Sequence, residues 1–166
     1  MNDALYEHIV LRKSTAKDNL IRIAIIAALA LLLVVGFGLF GATALIIVVV
    51  LAILVYNFVF SRLNIEYEYT LLNHEIDVDI IYSRQKRKRQ LSFDLRQAEI
   101  IAPKGSPRLN SYKPEKIYDF TSKDPDKKAF AVMMSLDQKN VCILIEPNRG
   151  MIDHIRPWMG SKFHMD

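Results

Sequence analysis

Cysteine is nearly absent. The lone Cys142 leaves no internal disulfide to form, and no Asn-x-Ser/Thr acceptor is present. Both absences fit a reducing, cytoplasmic setting for the water-facing part of the chain. Cys142 lies in the apolar run VCILI (141–145), where a thiol acts as a buried, inert side chain. Catalytic signatures are missing too: no GxSxG, phosphate-binding loop or HExxH occurs. His8, His74, His154 and His164 are scattered, with no His or Cys partner at i+3 or i+4, so neither a metal site nor a cofactor is expected. Asp77 and Asp79 form a DxD pair, which chelates a cation in some transferases; in an alternating strand the pair reads as a solvent face. The chain is expected not to be an enzyme. The net charge of +4 and pI near 9.2 are too small a basic excess for nucleic-acid binding and fit an anionic membrane better.

The largest absence is of charge itself. Ile23 to Ser61, 39 positions, contain no Asp, Glu, Lys or Arg. One helix of that length would reach about 58 Å, whereas a bilayer core of about 30 Å takes about 20 residues. Two spans use the run up. The remaining chain is too short to cover such a run on all sides as a buried core helix. A cleavable signal peptide would have a shorter apolar stretch. Helices are predicted near 16–35 and 43–60, with the break in the glycine-rich segment Gly36–Gly41. The alternative is that the glycine spacing serves close helix packing instead. Thr15 with Asp18 three residues on is a capping box that starts the first helix. Tyr56, Phe58 and Phe60 supply aromatics at the far boundary, and Asn57 is placed to reach headgroups.

Orientation follows from the flanks. Arg12, Lys13, Lys17 and Arg22 precede the hairpin and Arg62 follows it, while the turn is uncharged. The positive-inside rule puts both termini in the cytoplasm of a multi-pass cell-membrane protein. The expected division is a cytoplasmic N-terminal segment (1–15), a transmembrane hairpin (16–61) and a cytoplasmic β domain (62–166). Residues 4–11 are expected along the membrane surface.

Beyond Arg62 the period changes to two. Strands are predicted at 65–72, 75–82, 89–95, 98–102, 116–121, 130–136 and 141–146. An even-length connection puts Val78 and Leu91 on one side. Asn148 is a predicted N-cap, followed by the helical stripe Met151, Ile152, Ile155 and Met159, with Pro157 ending or kinking the helix. Tyr118, Asp119 and Phe120 are expected to pack and cap a strand end. The run RQKRKR (84–89) reads as a hairpin tip. Its Arg84, Lys86, Arg87, Lys88 and Arg89 are candidate contacts for anionic lipid, or else a solvated turn neutralised by Asp77, Asp79 and Asp94.

Seven short strands and one C-terminal helix are the layout of a pleckstrin-homology-like barrel. The stretches Glu68–Ile100 and Val141–Ile155 resemble bacterial PH-like domains that follow transmembrane segments. YDFTS (118–122) and EPN (146–148) resemble elements of a group of small two-helix membrane proteins from Gram-positive bacteria. The resemblance implies a membrane α-helical hairpin plus a mainly-β domain, a PH-like seven-stranded barrel with a C-terminal helix. It implies no activity. Phosphoinositide recognition does not carry over, because the first hairpin turn (Leu72–Glu75) has no Lys or Arg. The expected role is non-enzymatic binding or scaffolding at the cytoplasmic face, with membrane lipids and an unidentified protein as partners. The alternative is an accessory subunit gripped through its hairpin.

Overall fold

The computed structural model describes residues 5–166. It divides into two compact units. One is Lys13–Ile65; the other joins residues 5–12 with Glu66–Asp166. The predicted division at 1–15 is therefore redrawn: the N-terminal segment belongs with the β domain.

In the helical unit, α1 spans Ala16–Phe40. Its capping box is complete: the Asp18 amide donates to Thr15 Oγ1 at 3.3 Å and the Thr15 amide to Asp18 Oδ2 at 2.9 Å. The predicted break at Gly36–Gly41 narrows to its last residue. Gly36 and Gly38 stay helical, because isolated glycines cost a helix only about 1 kcal/mol each. Gly36 serves close packing instead: a Cβ there would lie 3.2 Å from Ala44 Cβ. Gly41, at φ 57°, makes the turn. Thr43 Oγ1 then donates to Phe40 O at 2.7 Å, and α2 runs over Thr43–Val55. It continues as a π-helical turn over Tyr56–Phe60, in which Asn57 Nδ2 donates to Ile53 O at 2.9 Å. That polar group is met by backbone. Beyond the turn, Arg22 donates to Asn64 Oδ1 at 2.9 Å. The helices of 25 and 18 residues are long and apolar enough to cross a membrane. Few of their side chains are buried, and Val34 and Leu39 are 72 % exposed each.

The β unit holds two four-stranded sheets, ordered β1-β2-β3-β4 and β5-β7-β8-β6. Its strands are β1 Leu5–Leu11, β2 Ile65–Leu72, β3 Glu75–Tyr82, β4 Lys86–Asp94, β5 Ala98–Pro103, β6 Lys116–Asp119, β7 Phe130–Leu136 and β8 Lys139–Ile145. The seven-stranded barrel is thus corrected, among the described residues, to eight strands in two sheets with no closure. The added strand is β1, expected on the membrane surface. It pairs antiparallel with β2 over its whole length, from Leu5↔Leu72 to Leu11↔Glu66. Its Tyr6, His8 and Val10 form the more buried face and Leu5, Glu7, Ile9 and Leu11 the exposed one. The Val78↔Leu91 pairing holds, and the ladder bulges immediately after it, passing from Val78↔Leu91 to Asp79↔Arg89 with Gln90 skipped.

Both sheets give inward faces to the core, including Tyr69, Leu71, Ile76 and Val78 from the first and Ile101, Val132, Ile143 and Ile145 from the second. The other face of the second sheet is covered as well: Leu109 and Tyr112 pack on Ile100, Ala102, Ala131, Met133, Cys142 and Leu144. The C-terminal helix Arg149–Met159 buries Met151, Ile155 and Met159. Pro157 sits in its last turn and does not end it; Gly160, at φ 53°, does.

Candidate functional site

The basic run is mostly strand, not tip. The turn is confined to Ser83–Gln85, with Ser83 and Arg84 at φ 46° and 59°. Lys86–Arg89 belong to β4. The period of two then sorts the charges. Arg87 and Arg89 share a face with the carboxylates of β2 and β3. Arg87 pairs with Glu68, and Arg89 with Asp77 at 2.8 Å. Asp79 lies 3.8 Å from Arg87 Nε and 3.6 Å from Arg89 Nε, which is charge contact rather than hydrogen bonding. Arg84 pairs with Glu66 at 2.9 Å. The three arginines are spent within the sheet. Lys86 and Lys88 are exposed and carry no ion pair among the described residues.

A second constellation unites residues that sequence left apart. The backbone N–H and the Oγ of Ser122 both donate to Glu146 Oε1, at 3.0 and 2.8 Å. The YDFTS and EPN elements therefore meet, 24 residues apart along the chain. Tyr69 OH on β2 donates to Phe120 O at 2.7 Å and accepts the Glu146 amide at 3.3 Å. From β1, Tyr6 OH donates to Asn148 Oδ1 at 2.8 Å. The same oxygen accepts the Met151 amide at 2.9 Å, so Asn148 is the helix cap as expected. His8 Nδ1 lies 3.2 Å from Asn148 Nδ2. Gly150 is needed here: a Cβ would fall 2.4 Å from Tyr6 OH.

Burial sets the protonation of this junction. Removal from water pushes the Tyr69 phenol far up, with the hydrogen bond to the Glu146 backbone opposing. Burial holds His8 below its ordinary 6.5, helped by the nearby Lys127 charge and opposed by the contact with Glu146. At Asp119 burial works against ionisation, but hydrogen bonds from Lys123 and Thr121 outweigh it and keep the carboxyl below the usual range. Asp119 Oδ1 accepts the Thr121 amide at 3.1 Å and its hydroxyl at 2.7 Å, the expected capping of a strand end. Burial raises the Cys142 thiol.

Beside the junction is a cavity of about 550 Å³, walled by Lys104, Thr121, Lys123, Lys127, Lys128 and Glu146 among others. Glu146 is 5 % exposed, and its second oxygen, Oε2, is buried without a hydrogen-bond partner among the described residues. Lys123 is engaged by Asp119. Sequence reasoning singled out neither Glu146 nor the lysines; the signal available was the pair of short family elements that the fold joins. Among the described residues no group of three His, Cys, Asp or Glu is placed to hold a metal ion.

Comparison with curated proteins and with solved structures gives no match. The family described as Bacterial PH-like domain (DUF6106) matches residues 2–165. Nearly the whole chain is covered, apolar hairpin included, and the chain belongs to that family.

Proposed function

We propose that this protein is a non-enzymatic, membrane-anchored binding module. Its hairpin crosses the cell membrane twice and holds the PH-like domain at the cytoplasmic face. The observation that carries this reading is the pairing of β1 with β2. These strands flank the hairpin in sequence yet are neighbours in one sheet. Both ends of the hairpin therefore emerge on one side of any membrane it spans, which requires an even number of crossings. Two helices of spanning length supply two, and the basic flanks make that side the cytoplasm.

Tethering at both β1 and β2 keeps the domain near the bilayer whatever else it touches. Lipid contact then sets orientation more than residence. With the arginines engaged, Lys86 and Lys88 are the residues left for anionic headgroups, worth about 1 kcal/mol each near the surface.

Reporter fusions in the Gly41–Ala42 turn and after Asp166 test the topology. A reporter active only outside the cytoplasm should work at the turn and stay silent at the C-terminus. The reverse pattern would refute the reading.

A further inference from the structure

We propose that His8 on β1 and the Asn148 cap of the C-terminal helix form a proton-sensitive latch. It holds β1 against that helix while the His8 ring is neutral and loosens when the ring gains a proton. The geometry fixes the role of each atom. Asn148 Oδ1 accepts the Met151 amide at 2.9 Å and the Tyr6 hydroxyl at 2.8 Å. A flipped side chain would turn its NH2 group onto the Met151 N–H, donor against donor, so the oxygen stays at the helix. The NH2 group is thereby committed to the other side, where His8 Nδ1 lies at 3.2 Å. An amide nitrogen offers only hydrogens, so Nδ1 is the acceptor and carries no proton. Protonation makes both ring nitrogens donors and sets N–H against N–H at this contact.

The surroundings of His8 do not offset that cost. Burial is the largest influence and holds the ring below its ordinary 6.5. The Lys127 charge, from the loop before β7, acts the same way, while Glu146, just after β8, opposes through a backbone hydrogen bond and its charge. From β2, the Tyr69 ring stands 5.9 Å away between centroids, and its buried phenol stays neutral. On β1 itself, Glu7 lies on the opposite, exposed face. The histidine on the helix is placed differently. His154 packs on Tyr6 at 4.9 Å between centroids, and its Nδ1 lies 2.9 Å from Gly150 O, a contact that a ring N–H makes in either charge state. The proton is therefore read at His8. Four residues separate β1 from α1, so the strand released is the one from which the hairpin starts. The latch lies wholly within the β unit and stands whatever the topology of the hairpin.

The test compares the full chain in detergent micelles at about pH 8 and about pH 5, the range over which a histidine changes charge. Amide exchange of β1, corrected for the intrinsic effect of pH and referred to β7, should speed up about three- to tenfold at the lower pH, as the loss of one hydrogen bond implies. His8→Asn puts an oxygen acceptor about where Nδ1 stands and should remove the pH dependence. Asn148→Asp is the sharper variant. Aspartate caps a helix as well as asparagine does, so the fold survives; one oxygen takes the Met151 amide and the other faces His8. His8 should then titrate at higher pH than in the unchanged chain, read from its ring NMR shifts, and β1 should be held more tightly at the lower pH than at the higher. A purely structural cap would not give that reversal of sign. The proposal is overturned if β1 exchange follows β7 at both pH values, if His8→Asn keeps the pH dependence, or if His8 titrates unchanged in a folded Asn148→Asp chain.

Discussion

The outer face of the first sheet and the Glu146 junction both gather acids and bases, and they handle them oppositely. On the sheet, the carboxylates of Glu66, Glu68, Asp77 and Asp79 each lie within ion-pair reach of an arginine at β4 or the turn before it. At the junction, Glu146 is held by neutral donors through one oxygen, while the other has no partner among the described residues. Lys104, Lys127 and Lys128 stand nearby with no ion pair among the described residues. In the first arrangement Glu68 Oε2 and Asp79 Oδ1 are also buried without a hydrogen bond among the described residues, but an arginine charge stands against each carboxylate. In the second, the Glu146 carboxylate has no ion pair among the described residues and is held by the hydroxyl and amide of Ser122 alone. Density of charge, the more visible feature in sequence, is a poor guide to which is which.

The strongest way to break this contrast is at Tyr69. Tyr69→Phe strands the Glu146 amide and the Phe120 carbonyl in the core, and should destabilise the domain by about 2–3 kcal/mol in denaturant melts. A negligible change would mean that the junction is not a structural centre. Next is Arg87→Ala, which leaves Glu68 and Asp79 with less compensation. The arginine is more than half exposed, so solvent discounts the loss to about 1–2 kcal/mol. Added salt should shrink it further.

pH sharpens the comparison. His8 titrates below 6.5 in the fold, so the unfolded chain takes up the proton first. Its contribution is present above about pH 6.5 and is lost as pH falls below it. His8→Gln should flatten that slope; an unchanged pH profile would remove His8 from the junction's energetics. The smallest effect belongs to Lys86→Gln/Lys88→Gln, within about 0.5 kcal/mol on stability. The same change should weaken any salt-sensitive preference for anionic over neutral vesicles, read by flotation. No difference in vesicle binding would leave the two lysines as a solvated strand face.

The sequence carried much of the β domain. Strands at 65–72, 75–82 and 130–136 have the predicted bounds, because alternation is strong and turn residues such as Asn73 and Asp137, at φ 54° and 49°, punctuate it. The Asn148 cap was legible from its residue type and the stripe behind it. β1 was not, because LYEHIVL has large apolar residues on both faces and its partner strand lies beyond the whole hairpin. β4 was clipped to 89–95 because four consecutive charged residues look like a loop; cross-strand acids are what make them tolerable in a ladder. The helix break was spread over three glycines because local pattern does not tell a turn glycine from a packing glycine. The Glu146 site was illegible for a simpler reason: its parts come from β1, β2, the loop before β7 and the end of β8, and no local spacing encodes their meeting.

The pairing of β1 with β2 completes the first sheet across the hairpin. Leu5 and Leu72 are directly paired and both exposed. Leu5→Cys/Leu72→Cys in a Cys142→Ser background should therefore form an intramolecular disulfide on mild oxidation of the membrane-embedded protein, seen as a reducible shift on a non-reducing gel. Leu5→Cys paired instead with a cysteine in the Gly41–Ala42 turn should not. Failure of the first pair to crosslink while the second does would contradict β1–β2 pairing and, with it, the placement of both hairpin ends on one side.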